Sequence, residues 1–93
     1  MLNERIRQLR VERGLSQVDL AEILGVSKQS ISNWENDNIQ PSIEMLLKIS
    51  KTFSVSTDYL LGIDSRRYLE VTKLPSSYIS HIQQLVEDIE KIL

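Results

Sequence analysis

An all-α chain is predicted, with five short helices forming one small domain and a separate amphipathic helix at the C-terminus. Three observations predict it. Glycine and proline are scarce, three and two in 93 residues. Apolar residues recur at helical spacing along most of the chain. Serines stand just ahead of these runs, where a hydroxyl can cap the first free backbone amides of a helix. The length suits a single compact core plus one extra element.

The first helix is expected from about Leu2 to Arg13, with Leu2, Ile6 and Leu9 on one face and Gly14 closing it. Ser16 caps the second, and Asp19 completes a capping box in Ser16-Gln17-Val18-Asp19. Leu20, Ala21 and Leu24 form its buried side, and Gly25 ends it. Ser27 caps a third helix reaching about Asn36, followed by the turn-rich loop Asp37-Asn38-Ile39-Gln40-Pro41. Ser42 opens a fourth helix carrying Ile43, Leu46, Leu47 and Ile49 and ending near Phe53. Ser56 caps a short fifth, with Tyr59, Leu60 and Leu61 before Gly62. These connections are short, so residues 1–62 are expected to be one domain.

Residues 63–74 read as a linker, in which Leu69 and Val71 alternate with polar positions and give a weak strand signal. Pro75-Ser76 then opens the last helix, residues 75–93. Tyr78, Ile82, Leu85, Ile89 and Ile92 step by four and three, and Ile79, Val86 and Leu93 widen the stripe. Little more than two heptads cannot hold an isolated coiled coil, so this face must bury itself on something.

Composition excludes several classes of function. The apolar share of 41% is ordinary, and no run approaches the roughly 20 apolar residues of a membrane span. Charges throughout residues 1–20 argue against a signal peptide, so a soluble cytoplasmic protein is expected, with no membrane partner. With no cysteine and the single histidine His81, no metal site is expected. The three glycines are isolated and build no phosphate cradle, no serine has a legible triad, and no catalytic residue or cofactor is expected. Arg66 and Arg67 read as a solvated linker pair. The net charge of −2, with residues 1–62 and 63–93 each slightly acidic, gives no overall basic footprint. A nucleic-acid interface here must therefore depend on the local field of one face.

Such a face is legible between Gln17 and Asn36. Ala21 is small where two helices approach closely, and Gly25 admits a left-handed turn. Val26 and Ile31 fill the angle between the helices, while Leu20 and Trp34 face the core. At 100° per residue, Ser30, Ile31 and Trp34 fall on one side of the third helix. Lys28, Gln29, Ser32, Asn33 and Asn36 fall on the other, with no large apolar side chain among them. Amides pair bidentately with adenine N6 and N7, and lysine suits guanine O6 and N7. Two helices joined by a tight turn, the second with a polar outer face, have the mechanics of a helix-turn-helix reader of double-stranded DNA.

The motifs Ile6-Arg7-x-Leu9-Arg10, Gly14-Leu15-Ser16-Gln17-x-x-Leu20-Ala21, Gly25-Val26-Ser27, Ile31-Ser32-x-Trp34-Glu35-Asn36, Pro41-Ser42 and Asp58-Tyr59-Leu60-Leu61-Gly62 run in order and without gaps. Over residues 2–62 the chain resembles the Cro and phage-repressor-like (XRE) family of helix-turn-helix regulators. The resemblance implies a five-helix lambda-repressor-like DNA-binding domain in a transcriptional regulator, most often a repressor and usually dimeric. It implies that Lys28, Gln29, Ser32 and Asn33 face bases and that Gln17, Ser27, Ser30 and Asn36 contact phosphates. It further implies an ion pair between Arg10 and Glu35 linking the first and third helices. Family members often carry basic residues after the recognition helix. Asp37-Asn38-Ile39-Gln40 has none, so no strong phosphate anchoring is expected from this loop.

The tail stripe, Tyr78, Ile79, Ile82, Leu85, Val86, Ile89, Ile92 and Leu93, either packs back on its own domain or pairs with the same helix of a second copy; the resemblance and the surplus apolar width favour pairing. A two-fold homodimer would present two third helices about 34 Å apart and bind an inverted repeat. A second function class is motivated by the acidic balance and the apolar tail: a protein-interaction module, such as an antitoxin-like partner. Substitution of Lys28 and Gln29 separates the two, because only DNA readout depends on them.

Overall fold

A computed structural model describes residues 1–93. All of the regular structure is helical, in the order α1 (Leu2–Glu12), α2 (Gln17–Leu24), α3 (Lys28–Glu35), α4 (Ile43–Phe53), α5 (Thr57–Leu60) and α6 (Ser76–Ile92). Four of these begin in the same way. The hydroxyls of Ser16, Ser27, Ser42 and Ser56 accept from the backbone N–H three residues on, at Asp19, Ser30, Met45 and Tyr59. In α2 the Asp19 carboxylate also accepts from the Ser16 backbone N–H at 2.9 Å, completing the capping box. Each cap satisfies a donor the helix itself cannot use, worth about 1 kcal/mol.

The turn between α2 and α3 depends on Gly25, whose φ of +71° is a left-handed conformation that a Cβ would strain. The Val26 N–H bonds back to the Ala21 carbonyl at 3.0 Å across it. From α4, the Lys48 ammonium donates to the Leu24 carbonyl at 2.8 Å, placing a cation at the negative end of α2.

One core is shared by α1 to α5. Ile6 and Leu9 of α1 meet Leu20, Ala21 and Leu24 of α2 and Ile31 and Trp34 of α3. Ile49 and Phe53 of α4, Val55, and Tyr59 and Leu60 of α5 close the other side. The outer face of α4 is apolar too, but Ile43 and Leu47 point to solvent while Met45 and Leu46 pack on the core. A helical run of apolar residues wider than the available core leaves its edges exposed. The fifth helix is one turn long, and Leu61 lies just past its end.

The strand signal at Leu69–Val71 is corrected: these residues form no strand. No second extended segment lies alongside them, and a strand without a neighbour leaves its backbone groups to water. The linker is instead tied down by side chains. Arg67 donates to Glu12 of α1 at 3.1 Å, and the Tyr59 ring lies against the guanidinium groups of both Arg5 and Arg67. Beyond it, α6 has no buried residue. No helix is long and apolar enough to cross a membrane.

Candidate nucleic-acid interface

The third helix is held by one side only. Ile31 and Trp34 are buried in the core, and Glu35 is buried beside them. Around the helix from these, Lys28, Gln29 and Asn36 are exposed, and Ser32 and Asn33 are half-buried. No apolar side chain interrupts this face, and α6 does not lie across it.

Side chains one turn apart are linked along the face. Gln29 Nε2 donates to Asn33 Oδ1 at 3.1 Å, and Asn36 Nδ2 donates to Ser32 Oγ at 3.2 Å. Ordering these amides in the free protein reduces the entropy lost when they meet a partner. At the start of α3, the Ser27 and Ser30 hydroxyls are 3.0 Å apart, and Ser27 Oγ caps the Ser30 N–H at 3.1 Å. They sit at the positive end of the α3 dipole, where an anionic oxygen is favoured.

The base of this face is a buried ion cluster. Arg10 Nε donates to Glu35 Oε2 at 2.6 Å and Arg10 Nη2 to Glu35 Oε1 at 2.9 Å, a two-pronged pairing across α1 and α3. Arg7 Nε and Gln17 Nε2 also reach Glu35 Oε1, at 3.3 and 3.2 Å. Arg10 Nη1 continues to the Leu15 carbonyl at 2.9 Å. The carboxylate thus ties α1, α2 and α3 together and has no buried polar atom left unpaired around it. Two arginines against one carboxylate leave a net positive charge at the α1–α3 junction, on a chain that is acidic overall.

The Glu35 carboxyl is pulled two ways. Burial pushes its pKa up, but hydrogen bonds from Arg10, Gln17 and Arg7, with the Arg10 charge, outweigh it and hold the group below its ordinary 4.5. A folded-state pKa below the unfolded one means that the unfolded chain takes up the proton first on acidification. The stabilisation is therefore complete above the unfolded value and is lost as pH falls through the folded one. The urea midpoint of the native chain should drop from about pH 5.5 to about pH 3, and that of Glu35→Gln should drop less. Parallel pH profiles for the two proteins would remove Glu35 from this account.

Sequence reasoning places Gln17 as a phosphate contact; it is half-buried at the first position of α2, and one N–H of its amide is on Glu35. Arg7 was not singled out for Glu35. Its signal is the i, i+3 spacing with Arg10, which puts both guanidiniums on one face of α1. The structure thus brings Arg7, Arg10, Gln17 and Glu35 together at the foot of α3, and gathers Lys28, Gln29, Ser32, Asn33 and Asn36 on its outer side. The tail residues from Tyr78 to Leu93 lie apart from both.

Comparison with known proteins gives one family and several relatives. Residues 6–60 match the helix-turn-helix family model HTH_3. The chain is 35% identical to the HTH-type transcriptional regulator ImmR of Bacillus subtilis over 99% of its own length and 72% of that protein. It spans between 14% and 57% of seven other curated regulators. Among solved structures it resembles the P22 c2 repressor in complex with a synthetic operator, at 41% identity and a TM-score of 0.65. That match covers 69% of this chain and 97% of that one. It also resembles SinR, a master regulator for biofilm formation, in complex with DNA: 42% identity, TM-score 0.61, covering 66% and 98%.

Proposed function

The chain belongs to the helix-turn-helix family HTH_3, of the Cro and phage-repressor type, and from that premise we propose that it is a sequence-specific DNA-binding transcriptional regulator acting as a repressor. The observation that carries this is the uncovered amide, hydroxyl and lysine face of α3, held in place from behind by Ile31, Trp34 and the Glu35 cluster. In this reading α3 enters the major groove, with Lys28, Gln29, Ser32 and Asn33 at base edges. Ser27, Ser30, Asn36 and the backbone and amide of Gln17 meet phosphates on either side.

Residues 1–62 are then the DNA-binding unit, 63–74 the linker and 75–93 the helix that joins two copies. Pairing through α6 is supported by its apolar stripe, most of which the chain itself leaves exposed: Tyr78 is 63% and Ile92 82% exposed, while Ile79 and Ile82 are half-buried. Apolar surface on that scale marks an association site. A pair of such chains reads an inverted repeat, and its DNA target places it in the cytoplasm. Membership of a family of DNA-binding regulators supports reading the chain as a regulator and not an enzyme.

Selection from a pool of random duplexes tests this reading. The expected product is one enriched sequence with two-fold symmetry and half-site centres about one helical turn apart. A pool that remains random after repeated rounds with folded protein excludes DNA readout. In that event the interaction-module reading, for which the bare α6 stripe is the favouring feature, takes its place.

A further inference from the structure

We propose that α6 pairs with the same helix of a second copy running in the opposite direction, so that His81 of each chain lies against Asp88 of the other. The inference rests on the reading that α6 joins two copies and adds the direction of the pair. Tyr78, Ile82, Leu85, Ile89 and Ile92 form a seam with steps of four and three residues, and Ile79 and Val86 widen it beyond the two heptads that would not hold a pair alone. What decides direction is the chemistry beside the seam.

The two flanks differ. One carries Ile79 and Val86, which line an open cleft together with the linker residues Leu69 and Val71. The other carries His81 and Asp88, seven residues apart and beyond one another's reach on the same helix. Asp88 accepts from Gln84 at 2.9 Å, and it takes part in none of the chain's ion pairs.

When two identical helices run the same way, the left flank of one faces the right flank of the other. His81 and Asp88 would then oppose aliphatic Val86 and Leu93, which desolvates a charge without giving it a partner. When they run oppositely, like flanks meet. The register of full overlap sets Tyr78 against Ile89 of the partner subunit and Ile82 against Leu85 of the partner subunit. It places Ile79 beside Val86 of the partner subunit on the apolar flank. On the polar flank His81 falls beside Asp88 of the partner subunit, and symmetry makes this pair twice. A ring N–H donor meets a carboxylate and apolar side chains meet apolar ones in this direction alone.

The length agrees. A helix of 17 residues is about 25 Å long. Opposed helices send the two linkers out at opposite ends, a separation on the scale of the roughly 34 Å between successive major-groove faces. Helices running together send both linkers out at one end.

The chain has no cysteine, so introduced thiols report unambiguously. Tyr78→Cys and Ile89→Cys chains, mixed under reducing conditions and then oxidised, should give the mixed Tyr78→Cys–Ile89→Cys disulfide as the main cross-linked product. Neither position is buried in the monomer, so the fold does not depend on them. In sedimentation of the full chain, His81→Asp should weaken the dimer roughly 2- to 30-fold, because two pairs of exposed carboxylates then face one another. Setting a carboxylate against an ammonium with His81→Asp/Asp88→Lys should restore it. Like-with-like disulfides only would overturn the opposed direction and leave α6 pairing intact. A dimer that forms no disulfide with either thiol overturns both, because the seam is then not the junction. A chain that stays monomeric up to high micromolar concentration likewise overturns both the direction and the pairing.

Discussion

Replacing Glu35 with leucine is expected to destabilise the domain by about 3–5 kcal/mol, a large share of the roughly 5–15 kcal/mol available to a small domain. The side chain is fully buried and receives Arg10, Arg7 and Gln17. Its removal strands the Arg10 guanidinium, whose side chain is only 14% exposed, in a low-dielectric setting without a counter-charge. Arg7 is more than half exposed and can turn to water, so it contributes little to the loss. The companion substitution tells whether the loss comes from the stranded charge. Arg10→Met/Glu35→Leu replaces both partners with apolar groups of similar volume and should recover most of the lost stability. Urea unfolding measures this as a shift in midpoint at constant slope. A double variant as unstable as the single one would place the cost in packing, not in the ion pair.

On a selected binding site, Gln29→Ala and Lys28→Ala should each weaken binding by about 1–3 kcal/mol, or roughly 5- to 150-fold, if each makes a bidentate base contact. Against random duplex the Gln29→Ala change should be small, because a neutral amide adds nothing to phosphate attraction. Lys28→Ala should weaken both, and it should lower the salt slope if the ammonium also neutralises a phosphate. Both side chains are exposed and touch nothing in the core, so stability is expected to stay within about 0.5 kcal/mol of the parent. Fluorescence anisotropy on specific and random duplexes, at two salt concentrations, separates these effects. Equal losses on both duplexes for Gln29→Ala would mean that this face positions the protein without reading bases.

Much of the architecture was written locally. The serines at 16, 27, 42 and 56 each cap the helix that follows, because a hydroxyl three residues ahead of a free amide needs no tertiary help. Gly25 was legible for a similar reason, since only its own backbone angle is at stake. The outer face of α3 followed from helical angle alone. The bond that Gln17 makes within the chain was harder to read. Its amide goes to a carboxylate 18 residues away, and nothing near it in sequence announces that partner. The strand signal at Leu69–Val71 failed because alternation says which side chains share a face but not whether a second strand exists to pair with. The stripe on α6 was clear as a pattern, yet one chain leaves most of it exposed.

The central claim is that the polar side of α3, and not α6, meets the duplex, and amide chemical-shift mapping with a selected operator tests it most directly. The largest shifts and the strongest loss of solvent exchange should fall on the first turns of α2 and α3 and on the Gln29, Ser32 and Asn33 side chains. Residues from Tyr78 to Leu93 should shift little beyond any change in pairing. Perturbations concentrated on α6, with Lys28 to Asn33 unmoved, would contradict the account.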